Sequence, residues 1–288
     1  MKFDVIVGNP PYQTKSDAED RKTKAIWPDF VKQSFGLSAD GGYVCLIHPS
    51  GWRQPAGMFE DIQSLLKSKN IKYLELHDDF EGVETFGVQT TYDWYIAQNN
   101  PPNGNTIVKG QDGSPSPLNI SDMPFIPNGM FETVLPLLAK PGEEKCEIIY
   151  SRSDYGTDKE NMSKEKTGEF RYPCIYTTQK DGTINYWYSS TNAKGHFGIP
   201  KVFWSNGWAS TVHVDDSGKY GLTQFAYAIV DSKDNLEYIK KAMESKKFLK
   251  LMRVCSFGQR HRYFYKIFRV LRKDFWKQFA DANGNEIK

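Results

Sequence analysis

The chain has 288 residues, 39% apolar and 25% charged, with a net charge of +2, the size and composition of one large or two modest soluble domains. Four scattered cysteines, Cys45, Cys146, Cys174 and Cys255, form no C-x-x-C pair, which argues against a zinc module or a disulfide scaffold and suits a reducing compartment. No signal peptide and no apolar run of about eighteen residues is present, so a cytoplasmic protein without membrane contact is expected.

Residues 3–7, FDVIV, read as a buried strand of a parallel sheet. A helix is expected from Pro28 to about Ser38, with Phe30, Val31 and Phe35 as its apolar positions. GGYVCLIHPS (41–50) reads as a second buried strand, and Met58–Lys69 as an amphipathic helix with Phe59, Ile62, Leu65 and Leu66 on one face. IKYLELH (71–77) and TTYDWYIA (90–97) read as two further strands, which gives an α/β layout. Between Asn99 and Gly129, six prolines and four glycines suggest a linker or long surface loop. A short helix is expected over 131–138 and a polar loop over 151–169. The runs CIYTT, INYWYSS, KVFWSN and FAYAIV then suggest a second, β-containing domain, closed by a helix over 235–243 and a basic helical end. Expected boundaries are 1–98, 99–129 and 130–288.

The first strand runs into Asn9-Pro10-Pro11-Tyr12. Two prolines hold φ near −65° and remove two backbone donors. What faces outward is acceptor-rich: the Asn9 side-chain carbonyl and the Pro10 carbonyl. Two fixed acceptors can take both hydrogens of an exocyclic amino group and make its lone pair more available to an electrophilic methyl group. Tyr12 adds a π-face on which a planar, extruded base can stack. A purely structural turn is the bland alternative, but by composition this tetrapeptide arises in only about one such chain per thousand.

This segment resembles motif IV of amino-group methyltransferases, and residues 1–97 resemble the second half of the adenine-N6 DNA methyltransferase fold. GGYVCLIHPSGW is similar to the next strand of that fold with its "PS-x-W" end, and ETFGVQTTYDWYI to a later motif with an aromatic before a strand. The resemblance implies an α/β fold: the C-terminal half of a methyltransferase-type (Rossmann-like) sheet, followed by a mixed α+β target-recognition domain. It implies that Asn9 and Pro10, in a turn completed by Pro11, bind the adenine N6 amino group of a flipped base. Tyr12 would stack on one face of that base and Phe86 on the other, with Phe80 and a core role for Phe86 as competitors. The same tetrapeptide occurs in glutamine-N5 protein methyltransferases and some guanine-N2 RNA enzymes. The roughly 190 residues beyond Ala97 favour the DNA enzymes of restriction–modification systems, which carry a target-recognition region there.

Residues 246–279 hold eleven Lys/Arg against one acid, Asp274, leaving 26 basic against 34 acidic residues elsewhere. Such asymmetry suits a polyanion. Nine aromatics are interleaved with these cations, and Phe264, Phe268, Leu271 and Phe275 at helical spacing are expected in the core. Arg253, Arg260 and Arg262, with Lys266 and Arg269 further along, are the expected contacts to double-stranded DNA. His213-Val-Asp215-Asp216 reads as isolated polar residues on a strand end rather than a metal site, and Glu143-Glu144-Lys145 lacks the acidic partner a nuclease site needs; no metal is expected.

In the family, the glycine-rich turn that holds S-adenosylmethionine precedes motif IV, and no such turn is found here. Cofactor-binding residues therefore cannot be named, and the strand before Asn9 should present an open edge. The expected partner is a second polypeptide carrying the S-adenosylmethionine-binding half, so that the two form a split enzyme. The alternative is a catalytically incomplete relative that binds DNA or regulates a partner.

Overall fold

The computed structural model describes residues 1–14, 23–55, 57–150, 152–206, 211–257, 265–281 and 285–287. By internal contact the chain divides into two compact units: Met1–Glu132 with Val254–Arg260, and Thr133–Arg253 with His261–Lys288.

The first unit is built on a six-stranded sheet of β1 (Phe3–Gly8), β2 (Ser38–Pro49), β3 (Asn70–His77), β4 (Tyr92–Gln98), β5 (Thr106–Lys109) and β6 (Pro115–Leu118), in the order β1-β2-β4-β3-β5-β6. β1 runs parallel to β2, β4 runs antiparallel to both β2 and β3, and β5 returns parallel to β3. The fold is α/β, as expected. Helices α1 (Trp27–Leu37), α2 (Glu60–Lys67) and α3 (Asp79–Phe86) fill the connections. The stretch read as a linker instead supplies β5 and β6, with Pro115 and Pro117 in β6. Proline is tolerated there because β6 ends the sheet and one side of its backbone needs no partner.

The pleat sends alternate residues to opposite faces. Val44, Leu46, His48, Leu74, Leu76, Tyr95, Ala97 and Val108 share one face and are buried, with α1 packed on β2 and α2 on β3. Trp27, Val31 and Phe35 form the buried side of α1, whereas Phe30, expected among them, is exposed. Its place is taken by Trp27, which sits between the His48 ring at 4.4 Å and the Phe59 ring at 4.7 Å. The opposite face carries Phe3, Val5 and Val7 on β1, Tyr43, Cys45 and Ile47 on β2, Trp94 and Ile96 on β4, and Ile107 on β5. Val5 is 60% and Val7 72% exposed. One side of this sheet is thus a packed core and the other an uncovered apolar surface.

His48 is fully buried in the packed side, and its Nδ1–H donates to the Pro49 carbonyl at 3.1 Å while Nε2 has no partner among the described residues. Burial pushes its pKa down to about 4, against a smaller upward pull from the Pro49 bond. The unfolded chain therefore binds more protons than the folded one between about pH 6.5 and 4. Stability from this group is complete above the unfolded value and drains as pH falls through that window, by about 3 kcal/mol in all. His48→Phe should flatten this part of the pH profile of the urea midpoint relative to wild type; an unchanged difference across the window would contradict the assignment.

The second unit opens with α4 (Phe131–Val134), which begins at the end of the first, and holds two four-stranded sheets. One has the order β13-β9-β10-β8 and the other β12-β11-β14-β7, where β7 is Glu147–Ile149, β8 Met162–Ser163, β9 Tyr172–Thr178, β10 Ile184–Ser189, β11 Lys201–Ser205, β12 His213–Asp215, β13 Gly221–Leu222 and β14 Ala226–Val230. Ile175, Phe203, Leu222, Ala226 and Ala228 make the core between them. The expected helix over 235–243 is α5 (Lys233–Glu244), with Leu236, Ile239, Ala242 and Met243 buried. The basic end, expected to be helical, is broken into α6 (Lys246–Val254), α7 (Tyr265–Phe268) and a 3-10 turn at Phe275–Gln278. Its backbone is claimed by another strand-like segment: Arg272 N–H donates to Leu137 O and Cys146 N–H to Leu271 O, so residues 271–272 cannot continue a helix. Phe268, Leu271 and Phe275 are buried as expected; Phe264 lies outside the described residues.

The Asp215 carboxylate is engaged by protein donors. It takes the Lys201 ammonium at 2.8 Å and the backbone N–H groups of Lys219 and Tyr220 at 2.8 and 3.0 Å. His213 Nε2 lies 2.8 Å from the Thr211 hydroxyl, and its ring stacks on Phe203.

Candidate active site

Asn9-Pro10-Pro11-Tyr12 leaves the carboxyl end of β1, the last strand of the sheet on that side. Pro10 is buried and anchors the turn, while Asn9 and Pro11 are exposed and Tyr12 is half-buried. The turn is closed behind Tyr12 by an Ile26 N–H that donates to Tyr12 O at 3.1 Å and a Thr14 N–H that donates to Lys24 O at 2.9 Å. Asn9 and Gly8 also line a hollow of about 480 Å³ with Val7, Cys45, Ile47 and Trp94, on the uncovered face of the sheet. An amide thus stands at the rim of an apolar hollow.

Phe86 lies beside Tyr12, with ring centroids 6.2 Å apart and planes at 79°. α3 delivers it. The helix starts on a reciprocal cap in which Glu81 N–H donates to the Asp78 carboxylate and Asp78 N–H to the Glu81 carboxylate. It stops immediately after Phe86 because Gly87 takes the left-handed conformation, φ 70°. Gly82 holds the same helix against the chain that leads into β4; a Cβ there would stand 2.0 Å from the Thr90 carbonyl oxygen. Phe80 is 76% exposed.

Two residues not singled out from the sequence complete the wall. Tyr92, the first residue of β4, meets Phe86 edge-to-face at 4.9 Å, and His77 stacks on Tyr92 at 4.4 Å with the planes 1° apart. Tyr92 OH and Thr85 Oγ1 are 3.0 Å apart. A Thr-Thr-Tyr-Asp sequence at a strand start was the only signal, and it reads equally as an ordinary strand. The Tyr12 hydroxyl is buried without a partner among the described residues, and burial, aided by Tyr92, pushes its pKa up to about 12. It is a neutral phenol at any physiological pH, suited to stacking rather than proton transfer.

Behind the wall, Asp93 is fully buried and accepts from Arg53 Nε at 2.7 Å and Trp52 Nε1 at 2.9 Å. Both donors follow the Pro49-Ser50 end of β2. Burial pushes the Asp93 carboxyl upward, against the pull of Arg53 and Trp52.

Among the residues expected to contact DNA, Arg253 is exposed at the end of α6, Lys266 is half-buried in α7, and the Arg269 guanidinium lies 5.2 Å from the centre of the Tyr265 ring. Arg260 and Arg262 lie outside the described residues.

Three strand-end features of the first unit are ill suited to S-adenosylmethionine. The turn after β1 presents prolines where a carboxylate would need backbone N–H donors. Asp78, after β3, is committed to capping α3, and Asp93 to Arg53.

Residues 1–86 match the family model described as Eco57I restriction-modification methylase. A relative from Mycoplasma pneumoniae described as an uncharacterized adenine-specific methylase is 35% identical over 106 residues, covering 35% of this chain and 24% of that one. The chain therefore spans about a quarter of that relative's length. Among solved structures, the type IIL restriction-modification enzyme MmeI in complex with DNA is similar over 92% of this chain and 45% of its own, at 11% identity and TM-score 0.48. The type I restriction enzyme EcoKI M protein is similar over 38% of this chain and 25% of its own, at 13% identity and TM-score 0.30. The resemblance drawn from Asn9–Tyr12 and its neighbouring strands is thus met independently: the N-terminal segment, residues 1–86, matches the Eco57I restriction-modification methylase family.

Proposed function

We propose that this chain supplies the amino-group clamp and the recognition unit of a site-specific DNA adenine-N6 methyltransferase. The observation that carries the reading is the acceptor-bearing Asn9-Pro10 turn at the end of β1, with Tyr12 and Phe86 side by side next to it. The Asn9 side-chain oxygen and the Pro10 carbonyl would accept the two amino hydrogens of an extruded adenine. Drawing on them keeps the nitrogen lone pair out of the ring and available to the methyl group. Tyr12 and Phe86 would flank the base. Their edge-to-face packing at 79° leaves no parallel slot, so one ring must turn as the base arrives. Tyr12 is the ring with that freedom, because Phe86 is held by Tyr92 and by the end of α3. Double-stranded DNA is the substrate, with Arg253, Arg260, Arg262, Lys266 and Arg269 contributing phosphate contacts.

S-adenosylmethionine is the methyl donor this reading implies, and its site belongs to a protein segment outside these 288 residues. We expect that segment on a second polypeptide. Two features support the assignment: β1 lies at the sheet edge with its outer backbone groups facing away from β2, and the apolar face beside it is bare down to the hollow at Asn9. A segment that covers both would border the clamp.

The test combines the chain with the polypeptide encoded beside it, labelled S-adenosylmethionine and double-stranded DNA. Label on adenine N6 that requires both proteins is expected. Salt-sensitive DNA binding without transfer, whatever donor half is added, would leave only the catalytically incomplete DNA-binding relative. Transfer to a protein glutamine or to RNA would assign the clamp to another amino group.

A further inference from the structure

We infer that Arg53 is a positioning residue for this reaction: it ties the Tyr92 wall of the base pocket and the chain segment 254–257 into one rigid piece. The inference rests on reading Asn9–Tyr12 as a base clamp. Arg53 is 0% exposed, and each edge of its guanidinium is used. Nε donates to the Asp93 carboxylate at 2.7 Å, Nη1 to the Ile126 carbonyl at 2.8 Å and Nη2 to Asn128 Oδ1 at 2.8 Å. The Arg53 Cζ lies over the Phe257 ring, 5.0 Å from the centroid. Asn128 passes the connection on, since its Nδ2 donates to the Ser256 carbonyl and its backbone N–H to the Val254 carbonyl, both at 2.7 Å. One side chain therefore organises three segments that are far apart in sequence, all within the first unit.

A buried ion pair is a poor source of net stability, because desolvating both ions offsets most of their attraction. What a planar guanidinium adds is direction: its donors leave in fixed lines, so its partners have one arrangement. Here the partners matter. Asp93 is bonded in sequence to Tyr92, Tyr92 backs Phe86 at 4.9 Å, and Phe86 meets Tyr12 at 6.2 Å. Tyr12 and Phe86 are only half-buried, so the back of the pocket is fixed from Tyr92 and Asp93. On the other side, Phe257 lies within the basic tract 246–279. A displacement of Arg53 would misplace the pocket wall and this anchor together.

The role is tested in the two-component enzyme, on double-stranded DNA with 2-aminopurine in place of the adenine that the wild type methylates; its fluorescence reports extrusion of the base, and unmodified DNA gives the rates. Arg53→Lys keeps the charge and loses the fork. It should lower kcat about 10- to 100-fold and weaken the fluorescence rise, with KM for S-adenosylmethionine unchanged. Asn128→Ala and Phe257→Leu spare the Asp93 ion pair, so the chain keeps its core, and each should lower kcat about tenfold. The Arg53→Lys/Asn128→Ala double variant should fall short of the product of the two single effects. Folded variants with wild-type kcat and wild-type fluorescence would reduce Arg53 to a structural anchor and overturn the inference alone. A wild-type pair that transfers no methyl group would instead overturn the base-clamp reading, and this inference with it.

Discussion

Asn9→Ala is expected to lower methyl transfer by about 100- to 1000-fold while leaving the fold and DNA affinity close to wild type. Removing one preorganised hydrogen-bond partner of the reacting group costs roughly 2.7–4 kcal/mol in the transition state, as oxyanion-hole deletions show. Asn9 is exposed at the tip of a turn that Pro10 and the Ile26-to-Tyr12 bond hold in place, so the substitution removes no packing. The check is single-turnover transfer alongside DNA retardation and thermal melting. Asn9→Asp, which keeps an acceptor oxygen, should retain more activity than Asn9→Ala. Equal loss of transfer and of DNA binding in Asn9→Ala would contradict the separation of clamp from recognition surface.

The largest expected effect on stability lies at Lys201. Its ammonium is fully buried, and besides Asp215 it donates to the carbonyls of His196 and Ile199 at 3.1 and 3.2 Å. Lys201→Met strands the Asp215 carboxylate, which is 3% exposed, in the core of the second unit. Breaking a buried pair from one side costs roughly 3–5 kcal/mol. The backbone N–H groups of Lys219 and Tyr220 would still hold the carboxylate, which favours the lower half of that range. Urea unfolding of the variant measures this directly. Adding Asp215→Asn should recover part of the loss, since the uncompensated charge is then gone. A loss below about 1 kcal/mol in the single variant would show that water reaches the pair.

The parts of the fold that were readable in the sequence are those whose signal is local. The strands at 3–8, 38–49, 70–77 and 92–98 carry continuous apolar or aromatic runs, and the clamp turn announces itself through its prolines. Phe86 was expected near Tyr12 only through the family resemblance, with Phe80 as a competitor; the Tyr12 and Phe86 ring centroids lie 6.2 Å apart. Other features depend on partners far away in sequence. β6 looks like a loop because proline is costly in an interior strand, and only its place at the end of the sheet makes Pro115 and Pro117 admissible. The basic end has aromatics at helical spacing, yet residues 271–272 bond to 137–146 and the helix is lost there. Arg53 gave one faint sign, a cation directly after a buried strand and its tryptophan. Its partners stand 40, 73 and 75 positions away, beyond any sequence window.

Apolar side chains on β1, β2 and β4 surround the hollow at Asn9, and a surface of this kind is normally covered in the working molecule. On the proposed reading, the clamp and a donor site carried by another segment would be two halves of one active site that meet along β1.

The most direct measurement is the fate of a labelled methyl group when this chain, the polypeptide encoded beside it, S-adenosylmethionine and double-stranded DNA are combined. Label on adenine N6 is predicted only when both proteins are present, and it should disappear with Asn9→Ala. Label that never reaches adenine with any donor half, or that reaches it equally well without this chain, would contradict the account.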